Sequence, residues 1–172
     1  MIMRPGQQLL LPANPLFIWG SLLLALLMDM LPLGRTPWMP DLLALVLVFW
    51  SVHQPLRVSI GSAFFFGIAM DVHQGALLGQ HALAYTTLSY FAITIHRRLL
   101  WFKVPSQALQ VLPLFVAAHA IEMAIRMLAG GAYPGPFILL APALEAALWP
   151  VVSVLLLAPQ RRAPDPDENR PL

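Results

Sequence analysis

Seven ionisable residues stand within or at the edges of long apolar runs: Asp29, Asp41, Asp71, His119, Glu122, Arg126 and Glu145. Each is costly in hydrocarbon, so each is expected to be kept for structure or function. His119, Glu122 and Arg126 fall at i, i+3 and i+7, which places them on one face of a helix and makes Glu122 and Arg126 an i,i+4 pair of opposite charge. Three chemistries fit such a set. Glu122, Arg126 and Glu145 can form an ion-pair network that fixes helix register, while Asp41 caps a helix after Pro40. The same groups can line a cavity or partner-binding groove, or they can relay a proton or ion. The structural network is the default reading.

The sequence carries no H-E-x-x-H, no G-x-S-x-G and no phosphate-binding loop. His73 and His81 have no carboxylate at ligand spacing, and His119 with Glu122 makes only H-x-x-E, so no metal or cofactor is assigned. Ser21, Ser62 and Ser89 read as packing residues or backbone hydrogen bonders rather than nucleophiles. The absence of cysteine excludes disulfides, thiolate metal sites and a cysteine nucleophile. No catalytic residue is proposed, and the chain does not read as an enzyme.

The elements that must position these groups follow from composition. Of 172 residues, 59% are hydrophobic and only 10% charged, with mean hydropathy +0.72. A soluble domain carries roughly a quarter charged residues, so this chain belongs in a membrane. The net charge of +2 points to membrane topology rather than nucleic acid. Residues 1–14 hold one charge, Arg4, and no clear cleavage site follows, so the first apolar stretch is read as a retained helix. Apolar runs at Leu16–Leu33, Leu42–Val52, Val58–Met70, Gly79–Ile95, Ser106–Leu128 and Pro136–Ala158 give six candidate spans. The expected fold is an all-α bundle of about six transmembrane helices over residues 15–158, with sequential antiparallel neighbours. Residues 1–14 form a cytoplasmic segment, and 159–172, rich in proline and charge, a disordered cytoplasmic tail. The second run is short, about 18 Å as a helix. Two true spans with a cytoplasmic turn at Pro55 and Arg57 are preferred over a re-entrant hairpin across residues 41–70.

Basic residues set the orientation. Arg4, Arg57, Arg97, Arg98, Lys103, Arg161, Arg162 and Arg170 fall on one side of the six-span arrangement, Arg35 alone on the other, and Arg126 within the fifth span. By the positive-inside rule both termini are cytoplasmic, and the acids gather toward the outer face. Small residues at Gly61, Ala63, Gly67 and Ala69 give the third helix a stripe for close packing, within the chain or against another membrane protein.

The segments Met39-Pro40-Asp41-Leu42-Leu43, Val48-Phe49-Trp50, Gly67-Ile68-Ala69-Met70-Asp71-Val72 and Gly75-Ala76-Leu77-Leu78-Gly79-Gln80-His81-Ala82-Leu83-Ala84-Tyr85 resemble the core pattern of the MreD family, the rod shape-determining membrane proteins of bacteria. The resemblance covers nearly the whole chain, although the turn from Gly75 to Gly79 lacks a proline often seen there. Pro40, Asp41, Gly67, Asp71, Gly75 and Gly79 match family positions. Read physically, they are a helix N-cap, a close-packing glycine, an acid at a helix end and a flexible turn.

The resemblance implies a six-helix fold similar to the substrate-binding S component of energy-coupling-factor transporters. It also implies a non-enzymatic role in lateral peptidoglycan synthesis at the bacterial inner membrane. The implied partners are MreC and, through the wider complex, MreB, RodZ, RodA and an elongation-specific penicillin-binding protein, in contact with membrane lipid. A small-solute-binding component of a transporter is the alternative, carried only by the fold kinship.

Overall fold

The computed structural model describes residues 13–31, 38–133 and 135–161. The expectations placed on Arg4, Arg35, Arg162 and Arg170 lie outside the described residues. Six α-helices follow in order: α1 (Pro15–Asp29), α2 (Leu42–His53), α3 (Ile60–Gln74), α4 (Gln80–Leu99), α5 (Val104–Leu128) and α6 (Leu140–Leu157). A 3-10 turn, Pro136–Leu139, leads into α6, and a second, Ala158–Gln160, prolongs it past the expected start of the tail. No strand occurs among the described residues.

Each boundary has a local cause. Asn14 Oδ1 accepts from the Leu16 N–H at 3.0 Å, ahead of a proline whose fixed φ suits the first helical position. Asp41 caps α2 in the same way, accepting from Ala44 N–H at 2.8 Å. Between α3 and α4, Gly75 (φ 59°) and Gly79 (φ 103°) take left-handed conformations that any side chain would strain. Pro113 and Pro150 lie inside α5 and α6 without dividing either helix.

Nine of the twelve residues of α2 are buried. A helix that is apolar all round is buried either in protein or in lipid, and here α2 packs on α1, α4 and α6. Trp50 Nε1 donates to Ser21 Oγ at 2.8 Å and Ser51 Oγ to Ser89 Oγ at 3.2 Å, tying α2 to α1 and to α4. The expectation that consecutive helices are neighbours therefore fails in one place. With α2 already enclosed, α3 packs chiefly on α4 instead. Gly67 makes that approach possible, because a Cβ there would fall 2.3 Å from Ala82 Cα. The small-residue stripe is only partly a contact face: Ala63 and Gly67 are buried, whereas Gly61 is exposed and meets nothing closer than Ser59 Oγ at 3.8 Å.

Two helical segments, Val104–Leu128 and Pro136–Gln160, each of 25 residues, are long and apolar enough to cross a membrane. The apolar α1 and α2 are shorter, at 15 and 12 residues. Six helices thus stand where six spans are expected, two of them sufficient by length and composition. The first helix stops at Asp29 rather than running on to Leu33, and that carboxylate turns to the start of α2.

The bundle has two chemically distinct ends. Arg57 Nη1 donates to Ala13 O at 3.0 Å, which sets the α2–α3 connection beside the start of α1. Arg97, Arg98 and Lys103 lie at the α4–α5 turn on that same end, opposite the start of α4. Asp29, Asp41, Asp71, Glu122 and Glu145 gather toward the other.

Candidate functional site

The acid-rich end is organised by two helix N-termini. A helix leaves its first four N–H groups without internal partners, and its dipole places partial positive charge there. In α2 all four are met by carboxylates. Asp41 N–H donates to Glu145 Oε1 at 2.9 Å, Leu42 and Leu43 N–H to Asp29 at 3.2 and 2.7 Å, and Ala44 N–H to Asp41 itself. Two other helices, α1 and α6, thus supply acids to this helix start beside its own cap residue Asp41. Tyr85 of α4, fully buried, donates its hydroxyl to the second oxygen of Asp41.

The start of α4 repeats the device with one acid. Asp71, fully buried near the end of α3, accepts from Gly79 and His81 N–H at 2.8 Å each and from Ala82 N–H at 3.4 Å. Its Oδ1 also lies 2.8 Å from His81 Nδ1. The two positive-φ glycines fold the chain back tightly enough for this carboxylate to reach the next helix.

On α5, His119 Nε2 lies 2.8 Å from Glu145 Oε1 and its Nδ1 lies 3.7 Å from Glu122 Oε2. The expected Glu122–Arg126 pair is absent among the described residues, and Arg126 joins no network with Glu145. Beside it, Gly131 N–H donates to Arg126 O at 2.9 Å, and a Cβ on Gly131 would stand 2.7 Å from Arg126 Cγ. The arginine stem therefore lies against Gly131, just past the end of α5. The network that does form is a histidine bridging two glutamates.

These groups border a cavity of about 630 Å³ open at the acid-rich end. Asp29, Asp41, His81, His119, Glu122 and Arg126 line it, as do Pro40 and Gly75. Asp71 and Glu145 stand behind the wall, where Glu145 Oε2 is buried without a partner. Gly67 lies deeper, at the α3–α4 contact, and Gly79 serves the turn. No group of three His, Asp or Glu residues among the described residues could hold a metal ion.

Three participants were not legible as site residues. Gln80, His81 and Tyr85 all fall inside the segment that resembles the family pattern, but nothing in that pattern marks them as site residues. His81 lies ten residues from its carboxylate partner, far outside helical spacing. Gln80 lines the cavity with a buried amide nitrogen that has no partner among the described residues.

Fold and site together define a class: an all-helical membrane protein whose acids are gathered at helix starts around a polar cavity. The family model for "rod shape-determining protein MreD" matches residues 13–158, and the chain belongs to that family. It is 32% identical over 135 residues to a protein named rod shape-determining protein MreD from Haemophilus influenzae, covering 76% of this chain and 81% of that one. No solved structure matches the chain.

Proposed function

We propose that this protein is a non-enzymatic scaffold of the bacterial cell-elongation machinery, holding MreC in the inner membrane and so helping to organise lateral peptidoglycan synthesis. Family membership over nearly the whole helical region carries the reading. MreB, RodZ, RodA and an elongation-specific penicillin-binding protein are reached through the wider complex, and nucleic acid has no part. In this reading all six helices cross the bilayer as in an S component of energy-coupling-factor transporters. The arginine-rich end and both termini face the cytoplasm, as the segregation of Arg57, Arg97, Arg98 and Lys103 from the acids favours. The docking surface is either the cavity-bearing outer end or the outward face of α3, where Phe64 and Phe65 are exposed.

Depletion in the rod-shaped host tests this, with cell width followed by microscopy and MreC recovery measured by pull-down. Rounding of cells with co-purification of MreC is the expected result. Unchanged shape with no MreC recovered overturns it. The polar cavity supports one competing reading, a solute-binding component of a transporter, since converging polar groups in a pocket are what such a component needs. Loss of uptake of a small solute on depletion, at normal cell width, would favour that reading instead.

A further inference from the structure

Most polar groups around the cavity are already spent. Asp29 and Asp41 hold helix N–H groups, and Asp41 also receives Tyr85. Among the described residues His73 and three further cavity-lining groups keep unused capacity, and the three bear on a ligand. Glu122 makes no side-chain hydrogen bond among the described residues, its ion-pair contact being His119 Nδ1 at 3.7 Å. Gln80 is 3% exposed, yet its Nε2 has no hydrogen-bond partner among the described residues. A buried amide left open in this way calls for an explanation. Arg126 is exposed and without an ion pair among the described residues, although it stands one turn from Glu122 on the same helix face.

An opposite-charge pair that lines one cavity without joining is complementary to a ligand carrying both charges. A simple cation would satisfy Glu122 and leave Arg126 and the Gln80 donor unused. A simple anion at Arg126 would leave Glu122 unused and would face Asp29 and Asp41, with His73, His81 and His119 also on the wall. We infer that the cavity binds a zwitterionic headgroup, an ammonium joined by a short link to a phosphate. The ammonium sits at Glu122, and the anion is held by Arg126 with a hydrogen bond from Gln80. Two sources share this chemistry, a phosphatidylethanolamine of the surrounding bilayer and a water-soluble aminoalkyl phosphate. The inference goes beyond the scaffold reading and does not depend on it.

The test uses the full-length protein purified in detergent, with no partner protein present. In one arm, native mass spectrometry follows retention of phosphatidylethanolamine against phosphatidylglycerol. In the other, calorimetry follows binding of phosphoethanolamine. The expected result is preferential retention of the zwitterionic lipid, falling about tenfold in Glu122→Gln and in Arg126→Gln and restored by Arg126→Lys. Variant-sensitive binding in the lipid arm alone assigns the bilayer as source, and in the calorimetric arm assigns a solute. Two results overturn the inference: no preference for the zwitterion in either arm, or a preference that survives both substitutions. Arg126 is surface-exposed, so its variant keeps the test decisive even if Glu122→Gln folds poorly. Loss of the scaffold's partner would show only in the pull-down, so the two readings fail separately.

Discussion

Gly67→Ala offers the sharpest test of how the acid-rich end is built. The added Cβ would stand 2.3 Å from Ala82 Cα, 2.5 Å from Ala82 N and 2.8 Å from the His81 carbonyl carbon. All three are backbone atoms, so no side chain can swing aside. Carbon atoms rest at about 3.5 Å or more, so α3 and α4 must part by more than about 1 Å. Overpacking of that kind costs typically 1–3 kcal/mol, against a gain of up to about 1 kcal/mol from replacing a helical glycine with alanine. The displaced segment also carries two of the N–H groups bound by Asp71, those of His81 and Ala82. Weakening them adds about 1 kcal/mol or more. The net expectation is a destabilisation of about 1–3 kcal/mol, read by denaturant titration in micelles. Gly61→Ala on the same helix is the internal control. With only Ser59 Oγ at 3.8 Å it should be neutral or stabilising by up to about 1 kcal/mol. Gly67→Ala at or above wild-type stability would refute the close-packing argument and, with it, the link from α3 to the Asp71 cap.

Three further outcomes follow from the same geometry. Asp71→Ala strands three backbone donors, two of them buried, and should cost about 2 kcal/mol or more, seen as loss of folded protein from the membrane fraction, whereas Asp71→Asn should lose less by keeping one acceptor oxygen. Arg126→Ala should leave protein level unchanged within about 0.5 kcal/mol of stability, while Glu145→Ala should lower it by removing the partner of both Asp41 N–H and His119; equal effects would restore the ion-pair network expected from sequence. Leu56 is 98% exposed beside Arg57, so Leu56→Cys in this cysteine-free chain should react with an impermeant maleimide only after cells are permeabilised, and labelling of intact cells would reverse the proposed orientation.

What the sequence discloses and what it hides divides along separation in the chain. The Asp41 cap is legible because Pro40-Asp41 stands directly before an apolar run, and a cap acts within three residues. That Asp29 and Glu145 converge on the same helix start is not, since they arrive from 13 and 104 residues away. The i,i+4 spacing of Glu122 and Arg126 is a true statement about helix geometry, yet it does not bring the two charges into contact, and the arginine stem lies against Gly131 beyond the helix end. The shortness of the second apolar run reads as a weakness when each helix is imagined alone in lipid. Its near-complete lack of polar residues was the better signal, because such a helix is buried all round, in protein or in lipid. The turn glycines Gly75 and Gly79 were visible, but that they exist to carry one carboxylate back over α4 required the fold.

The arrangement also explains how acids gather at this end with no arginine partner among the described residues. A carboxylate buried in a low-dielectric bundle needs hydrogen-bond donors, and a basic side chain supplies them only by burying a second charge. A helix start supplies up to four N–H donors and a favourable dipole with no net charge of its own. Here α2 and α4 both begin at the acid-rich end, so Asp29 and Asp71 are met largely by backbone N–H groups, and Asp41 and Glu145 each by one. Arg126 is thereby left out of the structural network. Glu122, whose only charged contact is a long one to His119, is left nearly so. A charged pair that folding does not consume, facing a cavity with an unpaired Gln80 amide, is what separates a purely structural cluster from one built to receive a ligand.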